Sequence, residues 1–253
     1  MTAGPAKLPR WKCTVAYDGT EFQGWQSQPG GHSIQDALER RLREIFGRDL
    51  RIHGSGRTDA GVHALGQVFH FDADWPHGPE KLLTALGSGL PDAIQLRGVR
   101  RAPAAFHARF SATGKIYFYN LYCGGRADPF AAPFCWSLPR RPDMAAMRKA
   151  AARLAGRHDF RAFSAFNGGE KNDTVRDLRR IDLAGRGPRL RLTFEADGFL
   201  YKMARSLAGA LVAVGLGKLT PDEVAAILRS RERTHQVETA PARGLFLAKV
   251  FYR

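Results

Sequence analysis

Hydrophobic and polar residues follow two different spacings along this chain. Alternating or continuous apolar runs bounded by turn residues are typical of strands, whereas apolar residues three and four positions apart indicate amphipathic helices. The spacing predicts strands at Trp11–Tyr17, Leu50–Ser55, Gly66–Phe71, Ile94–Arg101, Lys115–Cys123, Val175–Ala184, Leu190–Ala196 and Leu245–Tyr252. It predicts helices at Ser33–Phe46, Pro79–Leu86, Asp143–Leu154, Leu200–Val214 and Thr220–Arg229. Because strands and helices do not alternate regularly, the pattern favours an α+β fold.

Capping residues mark the ends of two of the predicted helices. Ser33 stands where an N-cap is expected, and Gly47 stands just past the other end of the same helix. Thr220 and Glu223 have the spacing of a capping box, with Pro221 at the first helical position. These signals predict where both helices begin.

Length and composition indicate a globular protein with a substantial core. The chain has 253 residues, of which 44% are hydrophobic and 25% charged, enough for one large domain or two small ones. It contains no run of eighteen apolar residues, and its first residues, MTAGPAKLPRWK, lack the apolar segment of a signal peptide and are expected to form a loose tail. Three cysteines without a CxxC pair fit a reducing compartment, so a cytoplasmic location is expected.

Positive charge is the most informative bulk property. The formal net charge is +15, which predicts a surface that attracts polyanions. The segment Ala93–Ala127 contains no Asp or Glu, but it contains six basic residues interleaved with six Phe and Tyr residues. Cations for phosphates beside rings for bases are typical of RNA-binding surfaces, although the rings could equally belong to the core. The run Arg229–Arg233 is interpreted as solvated charge.

One carboxylate, Asp59, lies in a short glycine-punctuated turn between two predicted strands, in the stretch GSGRTDAGVHALGQVFHF from Gly54 to Phe71. Glycines at 54, 56 and 61 allow backbone conformations that a β-carbon would forbid, so the Asp can be held at a sharp bend. A purely structural turn with an Asx-type hydrogen bond would have the same composition. The local pattern alone therefore leaves both interpretations open.

The histidines of this region do not have the spacing of a zinc site. His63 and His70 lie seven positions apart, with His53 upstream and no cysteine nearby. The sequence therefore predicts no metal site.

The stretch GRTDAGVHALGQVFHF resembles the signature of the TruA family of tRNA pseudouridine synthases. Other blocks resemble further segments of that family and occur in the same order over nearly the full chain. They are YDGTEFQGWQSQ, FHARFSATGKIYFYNLY, FLYKMARSLAGALVAVGLGKL and TAPARGLFLAKVFY. Such a match is far more specific than a single motif.

The resemblance implies a fold and a set of site residues. The fold is two similar α+β subdomains whose sheets join into one central sheet with a basic cleft at the join; we expect them at residues 1–104 and 105–253. Asp59 corresponds to the nucleophile, Arg205 to a basic residue opposite it, and Tyr117 to a ring that stacks on the target base and could relay a proton. Arg57 corresponds to an arginine linked to base flipping, and Leu245 to an apolar wall near the Asp.

The implied activity is isomerisation of uridine to pseudouridine at positions 38 to 40 of the tRNA anticodon stem-loop, by a homodimer and without a cofactor or metal. The carboxylate would assist C1′ by attack or by stabilising positive charge. In the late helix Ser206 replaces a usual Asn, so a hydrogen bond could be lost there. Two other classes fit parts of the pattern, a non-catalytic RNA-binding module with RRM-like sheets and a hydrolytic glycosidase. Release of free uracil would identify the glycosidase.

Overall fold

A computed structural model describes residues 8–165 and 173–253. These residues form two compact units. The first comprises the described residues up to Ala112 together with Tyr252 and Arg253, and the second comprises Thr113–Phe251. The predicted boundary between residues 104 and 105 lies within the first unit, and most of the predicted N-terminal tail, residues 1–7, lies outside the described residues.

The first unit is an antiparallel sheet with two helices. Its elements are β1 (Arg10–Tyr17), α1 (Ile34–Phe46), β2 (His53–Gly54), β3 (His63–Asp72), α2 (Gly78–Gly87) and β4 (Ile94–Ala102). The strand order is β4-β1-β3, and the short β2 pairs with β3. Cys13 in the central strand faces Phe69 on one side and Val99 on the other. Strand β1 is therefore the centre of this sheet.

Burial of the apolar faces of both helices forms the core of the first unit. Leu38 and Leu42 of α1 and Leu82 and Leu86 of α2 are almost completely buried. Ser33 forms the capping box with Asp36 that begins α1, and Gly47 ends it in the left-handed conformation, so the predicted ends of this helix are confirmed. Burial of a leucine side chain stabilises the fold by about 1.5–3 kcal/mol.

The second unit has a larger sheet and three helices. Its elements are β5 (Ala112–Cys123), β6 (Trp136–Leu138), α3 (Met144–Leu154), β7 (Gly156–Asp159), β8 (Val175–Arg186), β9 (Arg189–Ala196), α4 (Met203–Gly215), α5 (Pro221–Ser230) and β10 (Leu245–Tyr252). The strand order is β10-β5-β9-β8-β7, with β6 parallel to β5. Strand β9 is antiparallel to both β5 and β8, and β8 is antiparallel to β7. Helix α3 packs on both α4 and α5.

Helix α4 is buried on every side. All of its residues except Arg205 are buried, and many of them are Ala or Gly, which lets neighbouring segments approach its backbone closely. The closest approach is at Gly209, where an added β-carbon would lie 2.2 Å from the carbonyl oxygen of Glu238. The segment 237–240 is therefore packed directly against the helix.

The prediction of an α+β fold is confirmed, and the predicted helices and most strands are present. Three details of the predicted strands are wrong. The strand predicted at Leu50–Ser55 contains only His53–Gly54, and the short strands β6 and β7 were not predicted. Strand β7 has the polar sequence GRHD and exists because its backbone pairs with β8, which no hydrophobic pattern can reveal. The predicted join of two sheets and the basic cleft stay predictions.

Helix α4 begins later than predicted, at Met203 instead of about Leu200. Lys202 precedes the helix with φ 58°, in the left-handed region, so the backbone cannot continue as a right-handed helix through this residue. The capping box predicted at Thr220 and Glu223 is confirmed at the start of α5.

All three cysteines are buried free thiols. Cys13 is completely buried, and Cys123 and Cys135 are less than a tenth exposed. Burial raises the pKa of all three thiols above the ordinary value. In the part of the chain that the structure describes, no helix is both long enough and apolar enough to span a membrane.

We expect Gly209→Ala to lower the free energy of unfolding by about 1–3 kcal/mol, because the added methyl group would overlap the Glu238 carbonyl. Chemical denaturation measures this change. The matched control is Gly87→Ala at the end of α2, where no atom lies within 4 Å of the added carbon. This control should be neutral or stabilise by up to about 1 kcal/mol, because Ala has the higher helix propensity. Equal effects of the two substitutions would contradict the close packing at Gly209.

Candidate active site

The turn that contains Asp59 lies between β2 and β3 in the first unit, and the buried side chain of Gln67 fixes its beginning. Ser55 donates from its hydroxyl to Gln67 Oε1 over 2.6 Å, and Gln67 Nε2 donates to the carbonyl oxygen of Gly56 over 2.8 Å. The Ser55 N–H also donates to the carbonyl of Val68 over 2.7 Å. The hydroxyl and the N–H of Ser55 and the carbonyl of Gly56 are all hydrogen-bonded, so the main chain that leads to Asp59 is fixed.

Thr58, directly before Asp59, is fixed by the end of β1 and by the segment that follows this strand. Its hydroxyl forms a 2.8 Å hydrogen bond with the hydroxyl of Tyr17, and its carbonyl accepts from the N–H of Trp25 over 3.0 Å. Burial raises the pKa of the Tyr17 phenol, although the hydrogen bond with Thr58 partly opposes this, so the phenol stays neutral at ordinary pH. A β-carbon on Gly24 would lie 2.5 Å from the Thr58 carbonyl oxygen, so only glycine allows this approach.

The glycines of the turn have different roles from those predicted. Only Gly61 has a positive φ, of 74°, whereas Gly54 and Gly56 do not. Gly54 is instead required by packing, because an added β-carbon would lie 2.5 Å from the indole nitrogen of Trp25. The one left-handed backbone conformation among these three glycines therefore comes after Asp59, at Gly61.

Asp59 and Arg57 are the functional candidates on this turn. Asp59 is partly exposed, and its carbonyl oxygen accepts from the N–H of Val62 over 3.1 Å, which closes the turn. Arg57 is exposed, and its Nε donates to Gln26 Oε1 over 3.0 Å. This hydrogen bond restrains the side chain of Arg57, which lies on the same turn as the Asp59 carboxylate. The first unit thus presents a cation and a carboxylate two residues apart on a rigid backbone.

Arg205 is the candidate cation of the second unit. It is the one residue of α4 that is not buried, and its Nε donates to the carbonyl of Ala240 over 2.7 Å. The Ala240 N–H in turn donates to the carbonyl of Arg205 over 3.2 Å. This pair of bonds joins the start of α4 to the segment before β10, so the backbone position of Arg205 and its Nε are both fixed.

Arg233 is hydrogen-bonded to the same segment before β10. These bonds were not expected from the interpretation of residues 229–233 as solvated charge. Its Nη1 donates to Ser206 Oγ over 2.9 Å, and its Nη2 donates to the Val237 carbonyl over 2.7 Å and to Thr239 Oγ1 over 2.9 Å. Burial lowers the pKa of Arg233. The interpretation is therefore wrong for Arg233. Ser206, where a hydrogen bond of the family's usual Asn could be lost, accepts one from this guanidinium.

Tyr117 and Leu245 lie on neighbouring strands of the second unit, β5 and β10. Tyr117 is 7% exposed, and its ring centroid lies 4.9 Å from that of Phe199 at an angle of 73°. Leu245 is 5% exposed and directly follows the short helical turn Ala242–Gly244. Both side chains are thus held by packing.

Tyr119 has a positioning role that the sequence did not suggest. Its hydroxyl donates to the carbonyl of Pro241 over 2.7 Å, next to the Ala240 carbonyl that binds Arg205. Its ring lies so close to Gly244 that an added β-carbon there would be 2.6 Å away. Burial raises the pKa of this phenol, although the charge of Arg205 opposes the shift. Its only signal in the sequence is the alternation with Tyr117, which places both rings on one face of β5.

The two units therefore carry different parts of the predicted site. The first carries Arg57 and Asp59, and the second carries Tyr117, Arg205 and Leu245. Within the second unit, Arg205 and Leu245 are attached to opposite ends of the same short segment, residues 240–244.

The histidines considered for a metal are occupied by other contacts. His63 Nδ1 accepts from the N–H of Gly19 over 3.1 Å and lies 3.0 Å from Asp18 Oδ1. His70 Nδ1 accepts from the N–H of Ala108 over 3.1 Å. Among residues 8–165 and 173–253, no group of three or more His, Cys, Asp or Glu side chains is arranged to hold a metal ion.

Comparisons with known proteins agree over nearly the whole chain. The profile of the family described as "tRNA pseudouridine synthase" matches residues 14–111 and 150–253. A protein named "tRNA pseudouridine synthase A" from Geobacillus sp. (strain WCH70) is 41% identical over 96% of this chain and 98% of its own length. Proteins of the same name are 41% identical in Bacillus subtilis (strain 168), over 96% and 99%, and 44% identical in Solidesulfovibrio magneticus, over 97% and 92%.

We expect Arg233→Ala to lower the free energy of unfolding by about 1–3 kcal/mol. The substitution removes the hydrogen bonds to the hydroxyl groups of Ser206 and Thr239 and to the carbonyl of Val237, and Ser206 is completely buried. Arg229→Ala is the matched control. Arg229 is exposed on α5, so its removal should change stability by less than about 0.5 kcal/mol. Thermal or chemical denaturation compares the two variants. Similar stability of both would show that Arg233 is solvated charge after all.

Proposed function

Because the chain belongs to the tRNA pseudouridine synthase family, an isomerase family, we propose that it converts uridine to pseudouridine at positions 38 to 40 of the tRNA anticodon stem-loop, with Asp59 as the nucleophile. The observation that carries this proposal is the fixed turn at Asp59. Hydrogen bonds and close backbone packing fix the residue before Asp59 and the turn after it, while the carboxylate stays partly exposed.

The proposed reaction needs one well-placed carboxylate. The bond between C1′ and N1 of uridine breaks, the base turns, and a bond between C1′ and C5 forms. The proton on C5 is lost to solvent and N1 takes up a proton, so the product is an isomer of the substrate. No electrons are exchanged with another molecule, and the chemistry requires no redox cofactor. Asp59 attacks C1′ as the N1 bond breaks, in the way that carboxylates act at glycosidic carbons.

The other site residues have roles that follow from the family motifs. Arg205 is proposed as the cation that keeps Asp59 ionised, a task that suits a planar guanidinium better than an ammonium group. Its Nε is already bound to the Ala240 carbonyl, which limits its rotation. Tyr117 would stack on the target base, Leu245 would supply an apolar wall, and Arg57 would stabilise the extruded nucleotide, since base flipping costs a few kcal/mol.

The proposed partner is tRNA, and the proposed assembly is a homodimer in which one tRNA contacts both subunits. Support for a nucleic-acid partner comes from the formal net charge of +15 and from exposed arginines on β4, at Arg97, Arg100 and Arg101. A cytoplasmic location is proposed on the same basis, because the substrate is tRNA.

The decisive experiment uses an anticodon stem-loop tRNA that carries tritium at C5 of uridine. We expect the wild-type protein to release tritium to solvent without releasing free uracil. Asp59→Asn should reduce the rate by about 10³-fold or more, because it removes the nucleophile but keeps its shape. Asp74→Asn, at an exposed acid of the same unit, is the matched control and should react at the wild-type rate.

Each other outcome has a definite meaning. Near wild-type turnover by Asp59→Asn would remove Asp59 from its proposed role. Release of free uracil would identify a hydrolytic glycosidase. Binding of tRNA without tritium release by any of the three proteins would favour a non-catalytic RNA-binding module.

Affinity for tRNA should fall steeply with salt. Each phosphate that a Lys or Arg contacts releases counterions, which gives a slope of log affinity against log salt of about −0.7 to −0.9 per phosphate. Fluorescence anisotropy with labelled tRNA at several salt concentrations measures this slope. A flat response would contradict an electrostatic RNA-binding surface.

A further inference from the structure

A cleft in the second unit is lined mainly by cationic side chains. It lies where α5 packs against α3 and β7, and its volume is about 370 Å³. This volume is at the lower end of the range of roughly 300–1,000 Å³ in which small molecules bind. The lining includes Arg153, His158, Asp159, Leu228, Arg229 and Arg231, none of which belongs to the candidate active site.

Carboxylates neutralise the charge of this cleft only in part. Arg153 Nη2 lies 3.3 Å from Asp222 Oδ1, and Arg231 Nε lies 3.6 Å from Asp159 Oδ2. Both arginine side chains are more than half exposed, so these ion pairs contribute little and can exchange for another anion. Arg229 is exposed and, within residues 8–165 and 173–253, has no hydrogen bond or ion pair.

Asp159 is committed to contacts within the fold. Its Oδ1 accepts from the N–H of Arg161 over 3.0 Å. Burial raises the pKa of this carboxyl, but hydrogen bonds from Thr174 and Arg161 and the charges of Arg231 and Arg161 outweigh burial and lower it. The carboxylate is therefore ionised at neutral pH and restrains Arg231 at the edge of the cleft.

The backbone of Arg231 is in a conformation that favours glycine. Its φ is 59°, in the left-handed region, and its N–H donates to the carbonyl of Leu228 over 3.4 Å at the end of α5. Glycine adopts this conformation at the lowest cost, so a larger side chain here adds strain. Strain of this kind is concentrated at functional sites. The arginine side chain therefore has a use other than ending the helix.

The lining suits the phosphate and the less polar part of a small molecule. Guanidinium groups bind phosphate oxygens through two parallel hydrogen bonds. Leu228 is almost completely buried and supplies apolar surface. The ring of His158 is fixed beside it, because its Nε2 donates to the carbonyl of Ala155 over 2.9 Å. A nucleotide offers both parts, since it combines charged phosphates with a flat base.

The charges next to the cleft disfavour a long polyanion such as RNA. Three exposed carboxylates, Asp222, Glu223 and Glu232, lie on residues that flank it along α5 and just after this helix. They would repel the successive phosphates of an extended strand. A compact ligand that places its phosphates among the arginines avoids most of this repulsion.

We propose that this cleft binds the phosphate groups of a free nucleotide. The phosphates pair with the three arginines and replace the exposed carboxylate of Asp222, while the base contacts Leu228 and His158. This inference is independent of the reaction proposed for Asp59, because it uses other residues and makes no assumption about the RNA.

Isothermal titration calorimetry of the full chain with ADP as the probe tests the cleft. We expect a single ADP to bind per chain at low salt, with Kd below about 1 mM. Adenosine has the same base without phosphate and should bind at least about tenfold more weakly, because the charge-assisted hydrogen bonds are lost. Pyrophosphate should compete with ADP.

Two substitutions should weaken ADP binding without unfolding the protein. Arg231→Gly removes the charge and the strained conformation together, so affinity should fall about tenfold or more while Tm does not fall. Arg229→Ala should cause a similar loss of affinity with little change in Tm. The matched control is Arg157→Ala. Arg157 is exposed and precedes His158 on β7, so strand alternation directs it away from the cleft, and ADP affinity should stay unchanged.

Three results would overturn the proposal. The first is absence of saturable ADP binding, and the second is an equal loss in Arg157→Ala, which would indicate only attraction to a basic surface. The third is displacement of ADP by tRNA together with weaker tRNA binding by Arg231→Gly, which would assign the cleft to RNA phosphates. Tritium release from the C5-labelled tRNA should be the same in all three variants as in the wild type, so the proposed function is tested separately.

Discussion

The fixed main chain on both sides of Asp59 is the constraint on which the candidate chemistry depends. A single carboxylate acts efficiently on one carbon atom when it is held in the geometry of attack. Gln67 holds the approach to the turn, and Tyr17 and the backbone at Gly24 hold Thr58. These groups come from β1, β3 and the segment after β1, so the sheet of the first unit must be complete before the turn is rigid.

In the second unit, Arg205 is held in position by a different arrangement. Arg205 lies on a helix that is otherwise entirely buried, so the position of its Cα is set by the packing of α4. Its side chain is then restrained by Ala240, and the segment that contains Ala240 is held by Arg233 and by Tyr119 through the adjacent Pro241. A buried helix thus supplies the position, and a hydrogen-bonded segment supplies the orientation.

Local signals explain why much of this fold could be predicted. Ser33 and Thr220 mark helix starts through capping boxes that depend on only four consecutive residues. Strand β7 depends on pairing with β8, and one bond of Arg233 reaches Ser206, which is 27 residues away, so the hydrophobic pattern reveals neither of them. The site residues themselves came from resemblance to a family, since an Asp in a glycine-rich turn is equally compatible with a structural role. The late start of α4 follows from the backbone conformation of Lys202, which composition does not reveal.

The burial of all three cysteines has a practical consequence. Maleimide and related reagents attack the thiolate, and here each thiol is both shielded from solvent and shifted toward its protonated form. A cysteine introduced at an exposed position would therefore react first, without removal of the native ones. The natural sequence is thus a ready background for attaching labels at introduced cysteines, and two such labels would report the distance between chosen surface points.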